Sequence, residues 1–304
     1  MTGIVRNRAT AKYVAAVILF GSNGVVASQI AMSSYDIVFT RTLIGALFLS
    51  AVFIASRARP TFWRDKRQFA FLLISGVAMG ASWLFLFEAY VQVGVSVAIL
   101  GYYCGPVIVM MLAPLVFRER LTLASVIGFV AVIIGMLCVN GQALALEGIS
   151  PGLVFAILAA ATYAVMVICN KKATGITGLE NPMWQLIAAF GTVALFLLFR
   201  RGLAIDVPPG SWLPVLVLGL LNTGVGCYLY FSSIGAMQAQ SVAILGYLEP
   251  LSALFFAAVF LGETLTPLQM VGAALILGGT VAGELLRLRT VAGHAASQSA
   301  RSAP

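Results

Sequence analysis

Hydrophobic residues in this chain come in long runs, separated by charged residues or by Gly, Pro and Asn breaks. The 25 residues between Gln92 and Arg118, for example, include no charged residue. At about 1.5 Å per residue, a helix of that length crosses a hydrocarbon core of roughly 30 Å. The pattern therefore predicts an all-α membrane protein.

The runs and their breaks predict ten spans, joined by loops too short for a soluble domain. They are Lys12–Ala31, Ile37–Ser56, Phe69–Tyr90, Val95–Phe117, Thr122–Val139, Gly152–Lys171, Pro182–Phe199, Trp212–Ile234, Ser241–Leu261 and Pro267–Leu286. The first span follows Arg6 and Arg8, as the core of a secretory signal would. Because it is longer than the usual signal core and has a counterpart in the sixth span, we interpret it as a retained helix.

The chain contains a tandem repeat. The segment Ser-Val-Ala-Ile-Leu-Gly-Tyr occurs at Ser96–Tyr102 and again at Ser241–Tyr247, and a proline follows each copy, Pro106 and Pro250. Further aligned pairs are Phe117–Thr122 with Leu261–Thr266, Gly128 with Gly272 and Gly135 with Gly279. The repeat predicts five-helix domains at residues 1–140 and 151–289, followed by a disordered polar tail at residues 290–304.

Charge predicts how the two copies are oriented. Since each copy has five spans, the second must enter the membrane from the opposite side, which makes the repeats inverted around a central cavity. With a cytoplasmic N-terminus, fifteen of the eighteen basic residues fall on the cytoplasmic side, and both termini lie there. The net charge of +8 then reflects loops that face anionic lipid, and no nucleic-acid partner is expected.

Residues typical of catalysis or metal binding are sparse in a chain that is 61% hydrophobic and 9% charged. Cys104, Cys138, Cys169 and Cys227 stand singly inside spans, and the one histidine, His294, lies in the tail. Neither a metal-ligand spacing nor a paired base and nucleophile is visible. We therefore expect no catalytic residue, no metal and no cofactor; a membrane enzyme or receptor would have to show turnover or signalling without solute flux.

Three charged residues lie inside predicted spans, where they usually face a bundle interior or an aqueous cavity. Glu249 precedes Pro250, which removes a backbone hydrogen bond and tends to kink the helix. Glu249 either lines a substrate path or fixes helix packing. Glu88 is interpreted as an interfacial carboxylate, whereas Arg41 either snorkels to the nearby surface or binds an anionic group.

Aromatic residues related by the repeat predict a solute cavity, because Tyr and Trp combine an apolar face with a hydrogen-bonding edge and attract ammonium groups. The predicted cavity residues are Asn23, Trp83, Tyr102, Tyr103, Tyr163, Tyr228, Tyr230, Tyr247 and Glu249. Two alternatives stay open: an interfacial aromatic belt, which fits Trp63 and Trp212 better, and a helix-to-helix hydrogen bond for Asn23.

Glycine and proline near the repeated segment predict hinges, because together they weaken helix continuity. The hinge residues are Gly101, Gly105, Pro106, Gly246 and Pro250. The Gly-x-x-x-Gly pairs that begin at Gly76, Gly101 and Gly279 predict close helix packing within the bundle.

Each repeat carries two motifs around its fourth span. In the first repeat they are Gly101-Tyr102 before Pro106 and Arg118-Glu119-Arg120-Leu121-Thr122, and in the second they are Leu248-Glu249-Pro250 and Gly262-Glu263-Thr264-Leu265-Thr266. With these motifs the chain resembles the EamA family of the drug/metabolite transporter superfamily. Within that family the chain is most similar to the YddG-type exporters. The resemblance implies efflux of aromatic and other neutral amino acids across the bacterial inner membrane by alternating access, in a protein that works as a monomer. Export of other small metabolites or cationic drugs on the same fold is the alternative. The family's familiar carboxylates fall at Glu119 and Glu263 and are expected to cap loops.

Overall fold

The computed structural model describes residues 3–119, 121–147, 151–200, 202–203, 205–262 and 266–282, and within these ranges the chain is helical and contains no strand. The predicted tail and Glu263 lie outside the described residues. The helices are α1 (Gly3–Gly21), α2 (Asn23–Ala27), α3 (Ser34–Ala55), α4 (Lys66–Tyr102), α5 (Cys104–Phe117), α6 (Leu123–Glu147), α7 (Pro151–Lys172), α8 (Glu180–Arg200), α9 (Trp212–Leu216), a π-helix (Val217–Val225), α10 (Gly226–Ile234), α11 (Ala239–Gly246), α12 (Leu248–Phe260) and α13 (Pro267–Ala282).

Each predicted span falls on one or more of these helices. In the described part of the chain, seven helical segments are long and apolar enough to cross a membrane, and three more apolar helices are shorter. The all-helical membrane fold is therefore confirmed, whereas the number of ten crossings stays a prediction. Helix α6 continues to Glu147, past the predicted end of the fifth span at Val139, and its apolar part in the described residues is Val126–Cys138. A glycine such as Gly141 costs only about 1 kcal/mol inside a helix and does not have to end it.

Helix α4 is too long for one crossing, and its contacts with α7 show that it turns back. The hydroxyl of Ser75 donates to the carbonyl of Met166. Seven residues later in α4, the hydroxyl of Ser82 donates to the carbonyl of Ala159, which lies seven residues earlier in α7. Further along α4, however, a methyl group at Gly101 would lie 2.7 Å from Ala156. The chain therefore runs antiparallel to α7 at first and parallel to it later. Although helical structure is continuous, the reversal falls near the predicted boundary between the third and fourth spans.

The two repeats break their helices at corresponding places. Tyr103 separates α4 from α5 with φ −72° and ψ 2°, and Tyr247 separates α11 from α12 with φ −72° and ψ −4°. In both cases a proline, Pro106 or Pro250, follows three residues later. Proline has no N–H and its ring clashes with the carbonyl four residues earlier, which explains a break at this point.

Helices α6 and α13, which the repeat relates to each other, pack through reciprocal glycine contacts. A methyl group at Gly135 would lie 2.6 Å from the carbonyl oxygen of Gly272, and one at Gly279 would lie 2.6 Å from that of Gly128. The two helices therefore run antiparallel and touch through equivalent residues.

Close packing by small residues also joins the two repeats at α4 and α8. A methyl group at Gly76 would lie 2.7 Å from the carbonyl oxygen of Gln185, and one at Gly80 would lie 2.8 Å from that of Ala189. The packing role predicted for this Gly-x-x-x-Gly pair is confirmed, because any side chain there would force the backbones apart.

Candidate functional site

Six tyrosines from both repeats pack together near the helix breaks. This tyrosine cluster consists of Tyr13, Tyr102, Tyr103, Tyr163, Tyr230 and Tyr247. Ring centroids are 5.1 Å apart for Tyr13 and Tyr230 and 5.6 Å apart for Tyr102 and Tyr163, and the hydroxyl oxygens of Tyr163 and Tyr230 are 3.1 Å apart. The cluster brings together five of the tyrosines predicted from the sequence and connects α1, α4, α7, α10 and the Tyr247 break.

Hydroxyl groups of the cluster mainly hold helices together. Tyr13 donates to the carbonyl of Val242 at 2.8 Å, and Tyr247 donates to the carbonyl of Tyr103 at 2.8 Å. Tyr230 and Tyr247 are buried, whereas Tyr102 and Tyr163 keep part of their surface exposed. Tyr102 and Tyr163 are thus more exposed than Tyr230 and Tyr247, and their role in lining a solute cavity stays a prediction.

The other predicted aromatic residues lie in different surroundings. Trp83 lies beneath the guanidinium of Arg41, with 4.8 Å between the guanidinium carbon and the ring centroid. Tyr228 lies two residues before Tyr230, so the two rings leave α10 on nearly opposite faces. The ammonium of Lys12 is 5.2 Å from the centre of the Tyr228 ring. Tyr228 packs against the same hydrophobic core as the tyrosine cluster, but among the described residues no ring contact joins it to the six tyrosines.

Glu249 lies at the start of α12, immediately after the break at Tyr247. Its side chain is partly exposed and forms neither a hydrogen bond nor an ion pair with any residue in the described part of the chain. A methyl group at Gly21, the last residue of α1, would lie 2.9 Å from the backbone carbonyl oxygen of Glu249. The backbone of Glu249 thus packs against the junction between α1 and α2.

That junction contains a second polar group without a partner. Asn23 begins α2, and its side-chain oxygen Oδ1 is buried with no hydrogen-bond partner among the described residues. The neighbouring Ser22 hydroxyl accepts a hydrogen bond from Asn222 of the π-helix at 2.8 Å. The interhelical hydrogen bond expected as an alternative for Asn23 is made by Asn222 instead.

Arg41 does not snorkel. The residue is only 8% exposed, and its Nε donates to the hydroxyl of Thr223 at 2.9 Å. Thr223 in turn donates to the carbonyl of Leu218 at 2.8 Å, five residues earlier in the π-helix. Arg41 forms no ion pair with Glu249 or with any other carboxylate in the described part of the chain. Its partner Thr223 adjoins Asn222, which bonds Ser22 at the junction of α1 and α2, where Gly21 packs against the backbone of Glu249.

Glu88 and Glu119 take the surface roles expected for them. Glu88 accepts a hydrogen bond from Tyr35 and pairs with Arg200 at 3.3 Å; its side chain is 23% exposed, as expected for an interfacial carboxylate. Glu119 accepts hydrogen bonds from the backbone N–H of Ala239 at 2.8 Å and of Gln240 at 3.3 Å. The capping role of Glu119 is confirmed, and it connects the first repeat to the start of α11.

Sequence reasoning missed three residues of this region: Tyr13, Asn222 and Thr223. Tyr13 is fully buried, as is Thr223, and Asn222 is only 1% exposed. A polar residue inside an apolar span was the available signal, since such a residue needs a partner in hydrocarbon. For Thr223 the signal is weak, because a threonine hydroxyl in a helix often bonds its own backbone.

Comparison with known proteins agrees with this architecture. A model of the EamA-like transporter family matches residues 11–141 and again residues 150–282. A solved crystal structure superposes with a TM-score of 0.78 at 19% identity, covering 91% of this chain and 98% of that one. The similarity to that structure concerns the fold alone.

Relatives by sequence are named as transporters. An uncharacterized transporter, YxxF, of Bacillus subtilis is 27% identical over 90% of this chain and 88% of its own length. A probable amino-acid metabolite efflux pump of Salmonella typhimurium is 31% identical over 56% of this chain and 60% of its own. The threonine/homoserine exporter RhtA of Escherichia coli is 25% identical over 81% of this chain and 80% of its own. These names describe transport rather than catalysis, and because the family model covers both repeats, the chain belongs to the EamA-like transporter family.

Proposed function

We propose that this multi-pass membrane transporter exports amino acids, aromatic and other neutral ones included, across the bacterial inner membrane. The names of two similar proteins, an amino-acid metabolite efflux pump and a threonine/homoserine exporter, favour this substrate class. The observation that carries the proposal is Glu249, a carboxylate in the interior that has no partner among the described residues. The ammonium group of an amino acid supplies that partner.

Aromatic surface next to Glu249 suits the rest of such a solute. The exposed parts of Tyr102 and Tyr163 present ring faces, which attract ammonium groups and pack against apolar side chains. Tyr247, two residues before Glu249, contacts the ring of Tyr103, which contacts that of Tyr102, so the tyrosine cluster extends to the start of α12. A small zwitterion with an aromatic or aliphatic side chain fits this combination.

We further propose that ten helices form two inverted halves, with both termini cytoplasmic, and that the protein works as a monomer. The antiparallel, reciprocal packing of α6 and α13 supports inversion, because an axis in the membrane plane reverses the direction of every helix it relates. Transport then proceeds by alternating access, in which the halves rock about the breaks at Tyr103 and Tyr247.

Counterflow in proteoliposomes tests the proposed function. Purified protein is reconstituted, the vesicles are loaded with one amino acid, and uptake of labelled amino acids is measured with and without a pH gradient. We expect exchange of neutral amino acids, and an apparent KM at least about tenfold higher for Glu249→Gln, because an ionic hydrogen bond is lost.

Asp206→Asn is the matched control, since Asp206 is an exposed loop carboxylate and its removal leaves counterflow unchanged. Exchange of cationic drugs or other metabolites, with no exchange of any amino acid, would refute the proposal and favour the alternative substrates. Unchanged kinetics in Glu249→Gln would remove Glu249 from the substrate path.

A further inference from the structure

We propose that Arg41 binds the carboxylate of the transported amino acid, so that the substrate lies between Arg41 and Glu249. This inference rests on the proposed export of amino acids and names the second half of the recognition site. The observation behind it is that the buried guanidinium of Arg41 has N–H donors without a partner among the described residues.

The guanidinium of Arg41 has more donors than the protein uses. An arginine side chain carries five N–H donors in a planar fork. In the described part of the chain, the one hydrogen-bond partner of Arg41 is the Thr223 hydroxyl, which takes the Nε donor. The four donors on the two Nη atoms remain, and their geometry matches the two oxygens of a carboxylate.

Residues on α4 and on the π-helix fix the orientation of Arg41, which lies on α3, and leave the Nη edge of its guanidinium without a described partner. Trp83 on α4 covers one face of the guanidinium, with 4.8 Å between the guanidinium carbon and the ring centroid. Thr223 on the π-helix holds Nε from the side. Because the face and the Nε edge are occupied, the Nη edge is the part of Arg41 that a solute can reach.

Close packing of the π-helix against α3 keeps this arrangement rigid. A methyl group at Gly45 would lie 2.9 Å from Thr223, and one at Gly219 would lie 2.6 Å from Ile44. Segments of π-helix are uncommon and frequently occur at functional sites, because the wider turn redirects side chains. Here the wider turn lets the Thr223 hydroxyl bond the Leu218 carbonyl while it accepts from Arg41.

Glu249 supplies the negative charge of the proposed site, and Arg41 supplies the positive charge. Thr223, which holds Arg41, adjoins Asn222, whose side chain donates to Ser22 at the junction of α1 and α2, and Gly21 at that junction packs against the backbone of Glu249. A short series of contacts therefore connects Arg41 to the start of α12, and the two side chains form no ion pair in the described part of the chain. An α-amino acid carries its ammonium and carboxylate on one carbon, so a single molecule can satisfy Glu249 and Arg41 together.

Two other basic residues, Arg200 and Lys171, use their N–H donors for contacts within the protein. Arg200 pairs with Glu88 at the far end of α8, and its side chain is 50% exposed. Lys171 donates to the carbonyls of Ile234 and Met237 at the end of α10. Of these three basic residues, Arg41 is the buried one whose two Nη groups have no described partner.

The test compares each acid with its amide. Proteoliposome counterflow is measured for L-threonine and L-phenylalanine, and for L-threoninamide and L-phenylalaninamide, which keep the ammonium but lack the carboxylate. We expect wild-type protein to show a KM at least about tenfold higher for the amides. In Arg41→Gln, the KM of the acids rises to that of the amides, while the KM of the amides stays within about twofold.

Two further variants make the result specific. Arg41→Lys keeps the charge but loses the fork, so its discrimination between acid and amide is intermediate. Thr223→Val removes the hydroxyl that positions Arg41 and raises the KM of the acids alone by about two- to tenfold. Arg64→Gln, the same change at an exposed residue, leaves discrimination unchanged. If Arg41→Gln does not give a monodisperse protein, Thr223→Val carries the test.

Each outcome decides one of the two proposals. If wild-type protein exchanges amino acids but does not distinguish acids from amides, the carboxylate role of Arg41 is wrong and amino-acid export stands. Equal rises in KM for acids and amides in Arg41→Gln or Thr223→Val would mean that Arg41 only supports the helices. If wild-type protein exchanges no amino acid, the proposed function fails and the inference fails with it.

Discussion

The hydroxyl of Tyr247 donates a 2.8 Å hydrogen bond to the backbone carbonyl of Tyr103, so the two residues that break the repeated helices are joined directly. Their rings also touch, with centroids 5.8 Å apart. Each break lies three residues before a proline. The pair therefore couples the broken helices of the two repeats across the protein interior.

Removing the hydroxyl at this junction tests the coupling. In Tyr247→Phe the ring contacts with Tyr103 and Phe129 stay, while the hydrogen bond is lost. We expect a decrease in unfolding free energy of about 0.6 to 1.5 kcal/mol, the usual contribution of one such bond. Thermal unfolding in detergent measures it. Tyr228→Phe is the control for stability, because the Tyr228 hydroxyl forms no hydrogen bond with any residue that the structure describes. Equal stabilities of the two variants would show that the Tyr247 bond contributes nothing.

A bulky residue at Gly246 is expected to slow the transport cycle. A methyl group there would lie 3.2 Å from the hydroxyl oxygen of Tyr13, which is tighter than ordinary contact. Gly246→Val therefore crowds the break as the helices move. Overpacking costs about 1 to 3 kcal/mol, and about 1.4 kcal/mol on the barrier lowers turnover roughly tenfold.

Counterflow rates at saturating substrate measure the effect on turnover, and KM measures binding. Gly191→Val is the matched control, because no side chain lies within 4 Å of the added group. Normal turnover in Gly246→Val would argue against a hinge at this break.

The ion pair between Glu88 and Arg200 is expected to contribute little to stability. Their side chains are 23% and 50% exposed, so water and salt screen the 3.3 Å contact. A double-mutant cycle with Glu88→Gln and Arg200→Gln should give a coupling energy of about 0.2 to 1 kcal/mol at low salt and less at 1 M salt. Thermal unfolding measures both; a coupling that salt leaves unchanged would contradict the screening argument.

Opposite membrane sides are expected for the aligned loops that follow the repeated segments. In a background without the four native cysteines, Arg120→Cys and Thr264→Cys report the position of each loop to a membrane-impermeant thiol reagent. Inverted halves place Arg120 in the cytoplasm and Thr264 outside, as the distribution of basic residues predicts. Labelling of both positions from the same side would exclude inverted repeats.

Much of the fold could be predicted because its signals are local. Each predicted span lies on helical structure, since a long apolar run is stable in a bilayer only with its backbone hydrogen bonds satisfied internally. The breaks lie close to Pro106 and Pro250 because proline acts on its own helix turn. The helix continuing past Val139 was missed because glycine and asparagine only weaken a helix.

The candidate site was less predictable. Five members of the tyrosine cluster were recognised by residue type and repeat position, but Tyr13 was not. The partner of Arg41 was missed as well, because Thr223 lies 182 residues away along the chain. Nothing in the local sequence of either residue indicates that they meet.

By itself, the sequence determined that this chain forms apolar helices, that it contains two copies of one unit, and where two helices break. Only the tertiary structure decided that Arg41 is buried on Trp83 and Thr223 and that six tyrosines form one cluster. The physical reason is that a span apolar on all sides crosses the membrane in any rotation about its axis. Which side chains face the interior is fixed by close packing and by the need of each buried polar group for a partner on another helix.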